Sequence, residues 1–182
     1  MTTATSNKII EQLNWRYATK AFDTSKKISD TDWQTLTEAL RLSTSSYGLQ
    51  PWKFIVVKNP DVRKKLRAIS WNQSQIEDAS HLIVFASLKK VDEAYVDQFI
   101  AATASTRGLT VEGLKGYRDM MVGDLVKGPR SAIIGSWAQR QTYLAMGNLL
   151  TTAAMLQVDA CPMEGLDPAK YDEILGLDKS AY

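Results

Sequence analysis

Apolar positions recur at helical spacing along most of the chain, and two short apolar runs interrupt them. Ser6 reads as a helix N-cap, with Ile9, Ile10 and Leu13 following at helical intervals. Residues 15–20 break the pattern and read as a loop carrying the cations Arg16 and Lys20. A second helix is predicted from Ser29 to about Ser43. Asp32 stands at its third position as a short-armed capping box, Ile28 and Trp33 can form a staple, and Trp33, Leu36 and Leu40 make the buried stripe. Residues 44–51 are dense in turn formers. Residues 53–58 and 82–87 read as buried strands. Between them Asn59 is a cap, and Pro60 opens a helix that runs through Arg67. Helices are also predicted over 92–106, with Gly108 as the stop, over 111–126, and over 168–175.

The helix predicted over residues 131–157 differs in kind. From Tyr143 onward its apolar residues, among them Leu144, Met146, Leu149, Leu150, Ala153 and Ala154, go nearly all the way round. A helix without a polar face must be buried on every side. At ~27 residues it would run about 40 Å, and a chain of 182 residues has few places to cover it completely. Burial against a second copy is the simplest solution, so a homodimer is predicted. A central core helix of a monomer is the alternative. No repeat, low-complexity segment or linker divides the chain, which predicts one α+β domain over residues 1–182.

Composition removes several function classes. Lysine plus arginine is 22 against 20 acidic residues, a net charge of +2 that argues against a nucleic-acid binder. One cysteine and one histidine leave no disulfide framework and no Cys/His zinc site. The start, MTTATSNKII, lacks the apolar run of a signal peptide, and no stretch is long enough to span a bilayer, so a cytoplasmic protein without membrane contact is expected. No G-x-G-x-x-G, P-loop, G-x-S-x-G or H-E-x-x-H is present. His81, just before the second strand, reads as a structural histidine, and Cys161 beside Pro162 as a buried, unreactive thiol. What remains is polar residues in loops: Arg16 and Lys20; Ser45, Ser46 and Gln50; Asn72; Glu164 and Gly165.

Taken in order, these segments resemble the FMN-dependent nitroreductase family, the oxygen-insensitive NAD(P)H-dependent type. The resemblance is carried by Arg16-Tyr17-Ala18-Thr19-Lys20-Ala21-Phe22, Ser45-Ser46-Tyr47-Gly48-Leu49-Gln50-Pro51-Trp52, Asn72 with Asp78-Ala79-Ser80-His81, Gln141-Thr142-Tyr143, and Pro162-Met163-Glu164-Gly165. It implies a layered α/β/α fold with a central mixed sheet, an intertwined homodimer, and FMN sites at the subunit interface. It also implies NADH or NADPH as donor, and ping-pong transfer through flavin N5 to a small-molecule acceptor such as a nitroaromatic or quinone.

By the same resemblance, Arg16 meets the flavin phosphate, for which a forked guanidinium is suited, while Lys20 and Asn72 sit at the pyrimidine edge. Tyr17, Ala18, Pro162 and Met163 line the cofactor. The Glu164-Gly165 backbone offers an N–H to N5. Ser45, Ser46 and Gln50 close the pocket from the other subunit or its loop, and Gln141 is a further candidate for the flavin edge. Relatives often carry serine where Ala18 stands and a second lysine where Gln75 falls. They also continue past the position of Tyr182 with a strand and a basic tail. A flavin-binding member with weak or no reductase activity is therefore the alternative reading.

Overall fold

The computed structural model describes residues 3–182. The chain forms α1 (Thr3–Trp15), α2 (Asp30–Arg41), β1 (Trp52–Val56), α3 (Pro60–Ala68), α4 (Gln75–Asp78), β2 (Ile83–Ser87), α5 (Glu93–Arg107), α6 (Lys115–Met121), α7 (Ile134–Met155) and α8 (Pro168–Leu175). Helices dominate and the sheet is small, an α+β composition. At one end of the strand pair Val57 N–H donates to the Leu82 carbonyl, and at the other Leu88 N–H donates to the Pro51 carbonyl, so β1 and β2 run antiparallel. The only parallel element among the described residues is an isolated bridge between Ala18 and Ala160.

The caps follow local chemistry. Ser29 Oγ accepts the Asp32 N–H at 3.1 Å and donates back to the Asp32 carboxylate at 2.7 Å. Asn59 Oδ1 takes two amides at the start of α3, with Pro60 at the first position. Asp92 caps α5, which ends on Gly108 at φ 64°, where an L side chain is strained. Three expectations are corrected. The first helix is already formed at Thr3, so Ser6 lies inside it, because a helix interior tolerates serine at a cost of a few tenths of a kcal/mol. The stretch over 111–126 is not one helix but a 3-10 turn (Glu112–Leu114), α6 and a π turn (Val122–Val126). Gly113, Gly116 and Gly123 weaken a continuous helix there. The strands are half-buried rather than buried, with Lys53 exposed and Ala86 covered.

The chain divides into two compact units. The first comprises the residues up to Ser43 together with Phe54–Phe85 and Ala145–Asp178. Its core is Val57, Leu66, Ile76 and Tyr171, with Ile55, Val62 and Met163 packed against it. The second comprises Thr44–Lys53, Ala86–Leu144 and Lys179–Tyr182. Its core gathers Leu49, Val96, Ile100, Met121, Leu125 and Trp137.

Along α7, Ala138, Ala145, Ala153 and Ala154 are buried, while Tyr143 and Leu144 are 51% and 55% exposed. The chain itself therefore covers only part of this all-round apolar helix. On α1, Ile9, Ile10 and Leu13 are exposed as well.

His81 stacks on Trp33 with ring centroids 3.9 Å apart, and its Nδ1 lies 3.0 Å from Ser80 Oγ. Burial pushes its pKa below 6.5, helped by the charges of Arg63, Lys58 and Lys27 and opposed by Asp30. The unfolded chain then binds the proton more readily than the folded one. His81 thus favours the fold above pH 6.5, and that contribution is lost as pH falls below it. Stability measured by urea unfolding is expected to decline from pH 7 to pH 5. A His81→Phe variant, which keeps the stack on Trp33, should show a flatter decline. An unchanged slope in the variant would assign the decline to other groups.

Candidate functional site

In the first unit, three loops carry the predicted site residues. The loop after α1 holds Arg16, Tyr17, Ala18 and Lys20, and its backbone is tied to the loop after α7. Ala18 bridges Ala160, Thr19 N–H donates to the Ala160 carbonyl at 3.3 Å, and Thr19 Oγ1 donates to Asp159 Oδ1 at 3.3 Å. Thr19 is buried, while Arg16, Tyr17 and Lys20 are exposed. The buried residue fixes the loop and its neighbours project outward. Neither Arg16 nor Lys20 has a carboxylate partner within ion-pair distance among the described residues. The charge of Lys20 reaches Cys161, where it opposes the rise in thiol pKa caused by burial. Cys161 is half-buried rather than buried, and the net rise keeps it a thiol.

The second loop follows Cys161. Pro162 and Glu164 are exposed, whereas Met163 packs on the core and so offers the site its backbone. Gly165 is buried, and its N–H donates to no acceptor among the described residues. A Cβ on Gly165 would stand 2.6 Å from the Trp71 ring, so glycine is what lets this backbone lie against the indole. That contact brings in the third loop. Trp71 and Asn72 both take positive φ (51° and 53°), and Trp71 is 82% exposed. Asn72 is held by Arg67, whose Nε donates to Asn72 Oδ1 at 3.0 Å while Nη1 meets Glu77 at 3.1 Å.

The remaining predicted residues lie in the second unit. Ser45 Oγ accepts the Gln50 N–H at 2.9 Å, and Ser46 N–H donates to Gln141 Oε1 at 2.8 Å. Gln141 is 7% exposed, and its Nε2 donates to the Trp137 carbonyl at 3.2 Å. Both ends of its amide are thus spent on protein groups. Gln75 is buried on α4.

Sequence reading missed Trp71. The signal available was an aromatic residue in a polar stretch just past the end of a helix, beside an asparagine able to take the left-handed conformation.

Two unpaired cations, an unclaimed backbone donor beside a glycine, and an exposed indole suit a protein that borrows its chemistry from a bound anionic cofactor. The chain belongs to the nitroreductase family, whose model matches residues 13–182. That membership makes it an oxidoreductase of the nitroreductase type.

A Staphylococcus saprophyticus protein named as a candidate NAD(P)H nitroreductase is 39% identical over 163 residues, covering 87% of this chain and 74% of that protein. A candidate nitroreductase from Bacillus subtilis, solved by crystallography, is similar with a TM-score of 0.77 and 26% identity, covering 97% of this chain and 84% of the other. A further nitroreductase-like crystal structure, from Exiguobacterium sibiricum and in complex with FMN, has the same fold. Its TM-score is 0.78 at 22% identity, over 96% of this chain and 82% of that one. Among the described residues no helix is long and apolar enough to cross a membrane.

Proposed function

We infer that this FMN- and NAD(P)H-dependent oxidoreductase reduces nitroaromatics, quinones or related small acceptors, and that it does so as a homodimer with the cofactor at the subunit interface. The observation that carries the reading is the Ala18–Ala160 bridge, which sets the exposed Arg16 and Lys20 beside the Cys161–Gly165 loop. The naming of a relative at 39% identity for NAD(P)H nitroreductase chemistry supports the donor. The FMN complex of a protein with this fold supports the cofactor.

The residues present fit FMN. Arg16 supplies a forked, permanently charged donor for the phosphate. Lys20 supplies a fixed cation for the pyrimidine edge, where negative charge gathers on reduction. Asn72, already oriented by Arg67, supplies a polar group for the same edge. Gly165 has an N–H to give, and its lack of a side chain lets an aromatic ring, here that of Trp71, lie against this backbone. Tyr17, Ala18, Pro162, Met163 and Glu164 complete the lining, Ala18 and Met163 through backbone. When bound, FMN supplies two-electron chemistry between NAD(P)H and the acceptor through its N5 atom.

Ser45, Ser46 and Gln50 belong to the second unit, and in the homodimer the partner subunit's copies close the pocket. Each unit exposes apolar residues that a second copy would cover, Ile9, Ile10 and Leu13 of α1 in the first and Tyr143 and Leu144 of α7 in the second.

The test is spectroscopic. Protein mixed with FMN and desalted should keep the flavin bands. NADH or NADPH should bleach them without oxygen, and a nitroaromatic or quinone should restore them. Sedimentation should give twice the chain mass of 20.3 kDa. Retained flavin that neither nucleotide bleaches would favour a flavin-binding member without reductase activity.

A further inference from the structure

The 45–50 loop is held in a conformation that its own sequence does not prefer. Tyr47 has φ 61°, Gly48 65° and Gln50 49°. A left-handed backbone suits Gly48. A bulky residue such as Tyr47 adopts it only when its surroundings over-determine it.

Those surroundings are specific, and all lie in the second unit. From α6, Tyr117 hydroxyl donates to the Tyr47 carbonyl at 2.6 Å. From the π turn, Asp124 accepts the Tyr47 hydroxyl at 2.7 Å, and Arg130 pairs with the same carboxylate oxygen at 3.2 Å. From α5, Tyr95 hydroxyl reaches the Leu49 and Gln50 carbonyls at 3.2 and 3.0 Å. From α7, Gln141 accepts the Ser46 N–H. The break in the helix over 111–126 serves this arrangement. The π turn presents Asp124 toward Tyr47, and a Cβ on Gly128 would stand 2.5 Å from the Gly123 carbonyl oxygen.

We propose that Tyr117, Asp124 and Gln141 are positioning residues, which set the strained 45–50 loop in the geometry that receives the partner's flavin before the flavin arrives. This rests on the flavin reading above. Without the clamps, Tyr47 relaxes to an ordinary backbone conformation, and FMN must reorder the loop when it binds. That ordering is subtracted from affinity. Gln141, whose amide is spent on Ser46 and Trp137, acts through the loop and not on the flavin edge.

The test compares wild type with Tyr117→Phe, Gln141→Leu and Gln141→Glu. Amide hydrogen exchange over residues 44–53 is read in the FMN-free protein, and FMN affinity and flavin midpoint potential in the loaded one. Losing a buried acceptor or donor should weaken FMN binding roughly tenfold. It should speed exchange at Ser46 and Gly48 by a similar factor, with the potential unmoved. Gln141→Glu keeps the acceptor for Ser46 but sets an oxygen against the Trp137 carbonyl, so it should return both readouts only part of the way toward wild type. Tyr117→Phe changes a single oxygen, so it keeps the test open if Gln141→Leu folds poorly.

Variants that bind FMN and exchange like wild type overturn the proposal. A shift in potential in Gln141→Leu also overturns it for that residue, because it marks direct contact with the flavin. A wild-type protein that binds no FMN overturns the flavin reading itself, and the inference with it.

Discussion

A double variant, Arg16→Gln with Lys20→Gln, is expected to bind FMN roughly 100-fold more weakly than wild type. A hydrogen bond to a charged group contributes about 1.5–3 kcal/mol, and each 1.4 kcal/mol is tenfold in affinity. Each cation alone therefore accounts for roughly 10- to 150-fold. They lie in one short loop and serve one ligand, so their effects do not add fully, and about 100-fold is the conservative sum. The folded chain should hardly notice. Both side chains are exposed and form no ion pair among the described residues, so the FMN-free variant should unfold within about 0.5 kcal/mol of wild type.

Quenching of flavin fluorescence on titration gives the affinity. Repeating it at low and high salt gives a second, independent reading. Wild-type binding should weaken as salt screens the phosphate contact, and the variant should be less sensitive. Binding within threefold of wild type would remove Arg16 and Lys20 from the cofactor site.

How much of this was visible in the sequence depends on the distance over which each feature is decided. Ser29, Asn59, Asp92 and Gly108 mark helix ends through contacts within a few residues, and the structure places them there. The interruption between 111 and 126 was not visible, because part of its cause is distant. Tyr47 and Asp124 are 77 residues apart, and their bond rewards a π turn that the apolar periodicity never signals. α7 shows a subtler limit. From Tyr143 onward its sequence puts apolar residues nearly all the way round, but only the fold sets the covered Ala145, Ala153 and Ala154 apart from the exposed Tyr143 and Leu144.

The site follows the same logic. Arg16, Asn72 and Gly165 were picked out as members of an ordered set of motifs, not from any pairwise physics. Thr19 and Asp159, which join two of those loops, are separated by 140 residues. Trp71 was passed over because one exposed indole has no periodicity to announce it. The motif points Gln141 at the flavin edge, and the structure adds the contacts on which the proposed positioning role rests: its amide accepts the Ser46 N–H and donates to the Trp137 carbonyl.

The largest stability effect is expected at a residue with no part in the chemistry. Arg63→Met should destabilise the protein by about 3–5 kcal/mol, because removing one side of a buried polar network leaves the other side unsatisfied. Arg63 is 7% exposed, and burial pushes its pKa down, yet a guanidinium keeps its charge. No carboxylate neutralises it among the described residues. Four backbone carbonyls accept its hydrogen bonds instead: Val57 at 2.8 Å from Nε, Ala79 at 2.5 Å and Glu77 at 3.5 Å from Nη1, and Ser80 at 3.3 Å from Nη2.

Methionine fills much of the volume and satisfies none of these acceptors. For a chain of this size the loss corresponds to a fall in Tm of roughly 6–20 °C. Arg63→Lys keeps the charge but cannot reproduce the planar fork, so it should recover only part. The effect should also reach the cofactor. The 77–80 segment carries Glu77, which pairs with Arg67, and Arg67 is what holds Asn72. In Arg63→Met, FMN affinity and thermal stability should therefore fall together, whereas the Arg16 and Lys20 variant loses affinity alone. An Arg63→Met protein that unfolds within 1 kcal/mol of wild type would mean that the carbonyls find water, and that this arginine holds nothing.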